Sequence, residues 1–120
     1  MPSLEAVESF VRLVEEGRTV ESMQRYYSEA TSVRENMASP RLGKPALIKH
    51  EEDALASIKS LKARCVRPVF ITGDLVVIRW IFEIEDKKDK TVRFEELAYQ
   101  RWNEDQIVEE QFFYDPAQLK

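Results

Sequence analysis

Hydrophobic and polar residues alternate along three consecutive segments between residues 75 and 114, and short polar turns separate the segments. Side chains in a strand point alternately to its two faces, so this alternation is typical of strands. In residues 75–85 one face carries Val76, Ile78, Trp80, Phe82 and Ile84. Residues 92–102 and 107–114 have the same period. We therefore predict a meander of three antiparallel strands.

The second and third predicted strands mix aromatic residues with acids and amides on the same face. The mixed series are Phe94, Glu96, Ala98, Gln100 and Trp102 in one strand, and Glu110, Phe112 and Tyr114 in the next. Pairing across the turn at residues 103–106 sets Gln100 roughly opposite Glu110. A mainly apolar face that is interrupted by a few polar groups is typical of a ligand pocket.

Before the meander, three segments repeat apolar residues with the spacing of a helix. The first covers residues 3–16 and ends at Gly17, because glycine is the usual residue just past a helix end. The second is expected to be capped by Thr19 and to end near residue 28. The third starts at Pro45, whose missing N–H does no harm in the first turn. The three apolar stripes are Leu4, Val7, Phe10, Val11 and Val14; Val20, Met23 and Tyr26; and Leu47, His50, Ala54, Ile58 and Leu61.

Shorter extended segments and turns complete the pattern. Residues 30–37 are predicted to form a short strand or irregular edge, residues 36–42 a loop, and residues 63–71 a strand. Gly73 lies in a tight turn that leads into the strand at residue 75. Helices followed by antiparallel strands predict an α+β fold, in which each helix packs its single apolar stripe against one face of the sheet.

The other face of the predicted sheet is also partly apolar. It carries Val77, Ile81, Leu97, Tyr99, Ile107 and Phe113 among the charged residues Arg79, Glu83, Arg93, Glu95 and Arg101. An apolar patch with a charged rim usually forms an interface, and a two-fold homodimer is the commonest solution. The alternative is a scatter of exposed apolar side chains, which proteins tolerate. We expect the homodimer.

Composition limits the classes of protein to which the chain can belong. Its 120 residues predict one domain, and 43% hydrophobic with 33% charged residues is ordinary for a globular protein. The net charge is −4 and the basic residues are scattered, which argues against a nucleic-acid partner. No apolar run approaches the ~20 residues of a membrane span. Cys65 is the one cysteine, so no internal disulfide forms, and we expect a cytoplasmic protein.

Motifs along nearly the whole chain resemble those of the nuclear transport factor 2-like superfamily, in particular its SnoaL-like and ketosteroid-isomerase-like members. The matching residues are Phe10 and Gly17; Tyr26, Glu29, Ala30 and Thr31; Gly43, Ala46 and Leu47; Arg101, Trp102 and Asn103; Ile107, Val108 and Glu109; and Tyr114, Asp115 and Pro116. The resemblance implies a cone-shaped barrel in which three N-terminal helices pack in the concave face of a curved, mainly antiparallel sheet. It also implies a deep cavity and, commonly, a homodimer.

The resemblance does not bring the isomerase chemistry with it. Ketosteroid isomerases use a general-base aspartate, a tyrosine and a second, protonated acid. In an ungapped match the tyrosine position falls on Phe10 and the second acid on Ala98, and neither side chain donates a hydrogen bond. The base position falls on Arg34, or on Glu35 after a slip of one residue. Isomerisation by that mechanism is therefore not expected.

Other inward polar groups are the candidates for chemistry. A carboxylate in an apolar cavity has a raised pKa, and a nearby imidazole is a suitable proton partner. We therefore take Glu110, Glu96 and His50 as candidate catalytic residues. The candidate ligand-binding residues are Tyr26, Arg34, Glu35, Trp80, Phe82, Ala98, Gln100, Trp102, Phe112 and Tyr114.

Each candidate also has a purely structural explanation. A single histidine on an apolar stripe, such as His50, is more often a hydrogen-bonded core residue than a catalyst. A slip of one residue in strand register turns Glu96 and Glu110 outward. The same acids are also placed to neutralise Arg34 in a buried ion pair.

Two functional hypotheses follow. The first is a cofactor-independent enzyme acting on a small apolar organic molecule as an isomerase, cyclase, dehydratase or hydrolase. The second is a ligand-binding or protein-interaction module without chemistry, and the protein-transport role of the superfamily's namesake has no specific support. One histidine and one cysteine leave a metal site to carboxylates alone, which is poor for zinc, and three glycines cannot form a phosphate-binding loop. We expect no cofactor and no metal.

Overall fold

The computed structural model describes residues 1–120 and contains three α-helices, six strands and a C-terminal 3₁₀ helix. The helices are α1 (Leu4–Glu15), α2 (Thr19–Tyr26) and α3 (Lys44–Ala56). The strands are β1 (Tyr27–Glu35), β2 (Arg41–Leu42), β3 (Ile58–Thr72), β4 (Leu75–Asp86), β5 (Thr91–Asn103) and β6 (Gln106–Phe113), and the 3₁₀ helix covers Pro116–Leu119. None of the helices combines the length and the apolar character that crossing a membrane requires.

The strands form one sheet in the order β2-β1-β6-β5-β4-β3. All neighbours are antiparallel except β1 and β6, and the sheet is open rather than closed into a barrel. The predicted meander is β4, β5 and β6, and Gly73, with a φ of +59°, lies in the turn before it. The helices pack against one face of this sheet, so the predicted α+β architecture is confirmed.

Helix α1 follows its sequence pattern. The Ser3 hydroxyl accepts a hydrogen bond from the backbone N–H of Ala6 at 3.0 Å, which caps the helix start. Gly17 follows the helix end with a φ of +80°, where residues with a Cβ are strained. The apolar stripe is buried except for Leu4 at its start, which is 65% exposed. Helix α1 therefore covers the sheet as predicted.

The ends of the other two helices differ from the prediction. Thr19 is the first residue of α2 and does not cap it, since Arg18 occupies the capping position without a side-chain hydrogen bond. Helix α2 ends at Tyr26, because Tyr27 is already extended and begins β1. Helix α3 ends at Ala56, and the last two members of its predicted stripe, Ile58 and Leu61, belong to β3. Pairing of that segment with β4 overrides its helical spacing.

A bulge in β6 changes the direction of one predicted outward residue. Arg101 pairs with Glu109, whereas Trp102 pairs with Ile107, so Val108 is an extra residue on β6. The bulge turns Ile107 into the core, where it is fully buried, so its predicted place in the outer patch is wrong. Beyond the bulge the alternation is as predicted, and Glu110 points inward.

Aromatic side chains fill one end of the space between the helices and the sheet. The ring centroids of Phe10 and Trp102 are 6.2 Å apart, and Tyr26 lies 6.0 Å from each of them. Trp102 is 1% exposed. Because this end is packed solid, the open space lies beyond Phe10, towards the ends of β4 and β5 that carry Phe82 and Phe94.

Candidate ligand cavity between the helices and the sheet

A cavity of about 410 Å³ lies between the helices and the concave face of the sheet. Most of its wall is apolar, with Leu47 on α3 facing the sheet residues Trp80, Phe82, Phe94 and Phe112. Its polar wall residues include Tyr27, Glu35, Arg41, His50, Glu51, Glu96 and Glu110. The volume falls in the range of small-molecule sites, and the mixture of groups matches them.

Seven of the thirteen predicted site residues line this cavity. They are Glu110, His50, Glu96, Glu35, Trp80, Phe82 and Phe112. The other six, Tyr26, Arg34, Ala98, Gln100, Trp102 and Tyr114, lie outside its wall. Ala98, Gln100 and Trp102 point inward, but they are buried in the packed end of the fold.

Glu110 lies in the cavity wall with 2% of its surface exposed. Its Oε2 accepts a hydrogen bond from Nε2 of Gln100 at 2.6 Å, and its Oε1 accepts one from the hydroxyl of Tyr27. Burial raises the pKa of Glu110, and the two hydrogen bonds oppose that rise because they favour the ionised form. Glu110 is thus a buried acid with fixed donors on both oxygens.

A second layer holds the Glu110 donors in place. The Oε1 atom of Gln100 accepts a hydrogen bond from the indole N–H of Trp102 at 2.9 Å, which fixes the amide so that its N–H₂ points at Glu110. Gln100 and Glu110 are direct partners in the β5–β6 ladder, as predicted. Burial and the charge of Glu110 raise the pKa of Tyr27 far above its usual value, so its hydroxyl keeps its proton. The two donors therefore do not titrate near neutral pH.

Glu96 is the second acid of the cavity wall and has no hydrogen-bond partner or ion-pair partner in the protein. Burial raises its pKa from the usual 4.5 to about 8, and repulsion from Glu110, Glu35 and Glu51 adds to the rise. At neutral pH the Glu96 side chain is therefore protonated and faces an apolar space.

Strand β1 presents Glu35, and not Arg34, to the cavity. Val33 and Glu35 share the inward face, so the alternation places Arg34 on the other side of the sheet. Glu35 is engaged in the protein, because its Oε2 lies 3.2 Å from Nη1 of Arg41 and its Oε1 accepts a hydrogen bond from the Tyr114 hydroxyl at 3.0 Å. Tyr114 therefore acts on the site through Glu35.

His50 lies at the mouth of the cavity with its side chain exposed to solvent. No hydrogen bond joins it to Glu96 or Glu110, so the predicted proton partnership is not formed by direct contact. The neighbouring Glu51 also lines the cavity, and burial raises the pKa of its carboxyl while His50 and Arg41 lower it. His50 thus favours the ionised form of Glu51 at the mouth of the cavity.

Three titratable residues of the wall, Tyr27, Arg41 and Glu51, are not among the residues predicted from the sequence. The predicted second helix includes Tyr27, and ending that helix one turn earlier places this residue at the start of a strand. Glu51 follows Leu47 by four residues and shares its helix face, so the i, i+4 rule identifies it. Arg41 lies in the two-residue strand β2, which was predicted as a loop and carries no local signal.

Neither the protein-family models nor the curated proteins yielded a match to this sequence. Solved structures do match its fold. A protein from Mesorhizobium loti that is described as a SnoaL-like polyketide cyclase is 20% identical with a TM-score of 0.77, and the match covers 92% of this chain and 97% of that one. An LEH-like epoxide hydrolase from M. tuberculosis is 11% identical with a TM-score of 0.78, covering 96% and 84%.

A third structural neighbour is a protein with a ketosteroid-isomerase-like fold from Catenulispora acidiphila, solved in complex with trimethylamine. It is 13% identical with a TM-score of 0.78, and the match covers 94% of this chain and 87% of that one. These similarities establish that the chain has the nuclear transport factor 2-like fold, as the motif resemblance implied. At such identities they establish the fold alone.

Proposed function

We propose that the protein is an enzyme that binds a small, mainly apolar organic molecule in the cavity and moves protons on it without a cofactor. Glu96 is the proton donor and Glu110 the proton acceptor. The observation that carries the proposal is the contrast between the two acids. Burial raises the pKa of both acids. Glu96 has no donor beside it and has a pKa of about 8, whereas two hydrogen bonds to Glu110 oppose the rise and favour its carboxylate.

An acid and a base in one apolar cavity suit reactions in which one substrate atom gains a proton while another loses one. In an isomerisation, Glu110 removes a proton from carbon while Glu96 donates one to the carbonyl oxygen. In a hydrolysis, Glu110 takes a proton from water while Glu96 protonates the leaving oxygen. Two of the structural neighbours are described as a polyketide cyclase and an epoxide hydrolase, which supports this class of reaction.

Replacing either acid by its amide is expected to lower turnover strongly. Glu96→Gln loses the transferable proton and Glu110→Gln loses the base, and each loss is expected to reduce kcat by about 10²–10⁴. The measurement is product formation by mass spectrometry on a panel of small epoxides and β,γ-unsaturated ketones. Wild-type turnover should also fall above about pH 8, because Glu96 loses its proton there.

Glu52→Gln is the matched control for these variants. Glu52 is exposed on α3, next to the cavity residue Glu51, and forms no ion pair. Its replacement is expected to leave turnover unchanged. Equal turnover in Glu96→Gln or Glu110→Gln would remove that residue from the mechanism.

A non-catalytic ligand-binding module is the second candidate, and one observation favours it. The two positions that match the hydrogen-bond donors of ketosteroid isomerases are Phe10 and Ala98, so neither can stabilise an oxyanion. In this case the panel compounds raise the melting temperature of the protein, and mass spectrometry detects no product. Conversion of any panel compound by the wild type, lost in Glu96→Gln, would exclude this candidate.

We also propose that a second copy of the chain covers the outer face of the sheet. Leu97, Tyr99 and Phe113 are exposed there, and Leu97 pairs with Phe113 in the β5–β6 ladder. The charged rim includes two internally matched pairs, Arg79 with Glu95 and Arg101 with Glu109, each with an N–O distance of 3.1 Å or less. Identical faces with such a rim meet without net repulsion, which suits a two-fold dimer.

Leu97→Glu is expected to convert this dimer to a monomer. The substitution places a charge at the centre of the apolar patch in both copies, so two like charges meet across the two-fold axis. Sedimentation velocity measures the change, and Leu4→Glu, at the exposed start of α1 on the helix side of the molecule, is the control. A wild type that sediments as a monomer would contradict the dimer.

The cytoplasm is the compartment that we propose. Cys65 is a free, buried thiol, and burial raises its pKa, which keeps it protonated and unreactive. A chain that depends on no disulfide suits a reducing compartment.

A further inference from the structure

Glu96 is flanked by aromatic rings on the cavity wall. Trp80 is its direct partner across the β4–β5 ladder, and Phe94 precedes it by two residues on the same face. Phe82 lies between these rings, with centroid distances of 5.8 Å to Trp80 and 5.2 Å to Phe94. Aromatic faces attract organic cations, and so does a carboxylate, so this combination of groups is suited to an ammonium ion.

The cavity wall as a whole carries more acids than bases. Glu35, Glu51, Glu96 and Glu110 line it, and its basic residues are Arg41 and His50. Arg41 is already paired with Glu35, and His50 is exposed at the mouth. No cationic side chain bonds to Glu51, Glu96 or Glu110. The protein therefore supplies no cationic bonding partner to any of these three acids.

From this arrangement we infer that the cavity binds an amine with an apolar body, and that its ammonium group lies at Glu96 beside the rings of Trp80, Phe82 and Phe94. The inference rests on the ligand-binding part of the proposed function, because an ammonium at Glu96 displaces the proton that Glu96 donates. The amine is therefore a ligand of the cavity and not the substrate of that proton transfer. A bound ammonium supplies the missing counter-ion, whereas an anionic ligand is repelled by the acids. The apolar wall around Leu47 and Phe112 receives the rest of the molecule.

Binding of a cation at Glu96 is linked to the proton on its carboxyl. The titratable and charged groups that line the cavity around Glu96 are Tyr27 and Glu35 on β1, Arg41 on β2, His50 and Glu51 on α3, and Glu110 on β6. Without ligand, Glu96 is protonated at neutral pH, and the ammonium favours the ionised form. Binding therefore releases a proton, and the affinity for an amine rises as the pH is raised from about 6 to about 8.

The test compares three probes of similar shape and different charge by isothermal titration calorimetry on the wild-type protein. The probes are 2-phenylethylamine, 2-phenylethanol and phenylacetate. At about pH 8 we expect the amine to bind about tenfold more tightly than the alcohol, and phenylacetate to give no saturable heat. At about pH 7, titrations in buffers with different ionisation enthalpies should give a release of about one proton per amine bound and none for the alcohol.

The Glu96→Gln variant separates this inference from the proposed function. Glu96→Gln should bind the amine and the alcohol equally and release no proton, while the control Glu52→Gln should retain the preference of the wild type. Equal affinity of the wild type for amine and alcohol would overturn the amine inference and leave the proposed proton-transfer enzyme intact. The amine inference would also be overturned if Glu96→Gln still bound the amine more tightly than the alcohol, or if none of the three probes bound. The proposed function is decided separately, by turnover of the Glu110→Gln variant.

Discussion

At about pH 9, the Glu96→Gln variant is expected to be more stable than the wild type by about 5 kcal/mol, and the difference should vanish below about pH 4.5. The pKa of Glu96 is raised from 4.5 in the unfolded chain to about 8 in the folded one. Between these values the folded state binds more protons than the unfolded state, so stability falls as the pH rises. The loss attributable to Glu96 is about 3 kcal/mol at pH 7 and complete above pH 8. The amide in Glu96→Gln carries no charge at any pH, so the stability of this variant does not fall through this site as the pH rises.

Urea unfolding at four pH values between about 4 and 9 measures this difference, because the midpoint changes with stability while the slope does not. Glu104→Gln, in the exposed turn between β5 and β6, is the control and should follow the wild type at every pH. The quantity to compare is the difference in urea midpoint between Glu96→Gln and the wild type. If this difference is the same at pH 9 as at pH 5, the Glu96 carboxyl is solvated. In that case Glu96 is no longer an acid at neutral pH, and its catalytic role fails with it.

The inward direction of Glu96 and Glu110 could be predicted from the sequence, because alternation in a strand is a local property. It carries through β4 and β5 without interruption. The direct pairing of Gln100 with Glu110 depends on the bulge in β6, because an uninterrupted hairpin from Trp102 and Ile107 would pair Gln100 with Glu109. The bulge at Val108 could not be predicted, since an extra residue in a strand leaves no trace in a pattern of apolar and polar positions. Ile107 was placed on the wrong face for that reason.

The ends of helices α2 and α3 were predicted too late because neighbouring strands compete for the same residues. Tyr27 continues the chain of α2 without any breaker, yet it pairs with Ile107 of the distant strand β6. Ile58 and Leu61 fit a helical stripe equally well, and their pairing with β4 decides the matter. Local periodicity cannot weigh contacts between residues that are tens of positions apart in sequence.

The boundary between wall and packed core was likewise beyond the sequence. Trp102, Gln100 and Glu110 share one inward face, yet only Glu110 reaches the cavity. The difference is produced by Phe10 and Tyr26, whose rings cover Trp102 at one end of the sheet. Which part of a concave face stays open depends on helix positions, and those are set by packing in three dimensions.

Replacing Gln100 with leucine is expected to destabilise the fold by about 3–5 kcal/mol near neutral pH, since it leaves two buried groups without partners. Gln100 is fully buried and uses both ends of its amide, one towards Trp102 and one towards Glu110. Leucine is slightly larger than glutamine and leaves no cavity, so the expected loss comes mainly from the hydrogen bonds. The loss should be greater at about pH 8 than at about pH 4, because Glu110 needs the donor when it is ionised.

Chemical unfolding of Gln100→Leu at these two pH values tests the role of the amide, and Gln106→Leu, at the exposed start of β6, is the control for the change in residue type. A double-mutant cycle with Glu110→Leu isolates the pair. The loss of unfolding free energy in the double variant should be smaller than the sum of the losses in the two single variants. Once Glu110 is removed, Gln100 no longer has a carboxylate to which it donates a hydrogen bond. Two results would contradict this role: additive losses in the cycle, or a Gln100→Leu variant as stable as Gln106→Leu. Either would mean that the Gln100–Glu110 hydrogen bond does not hold the base. Glu110 would then lack the fixed carboxylate that the proposed chemistry requires.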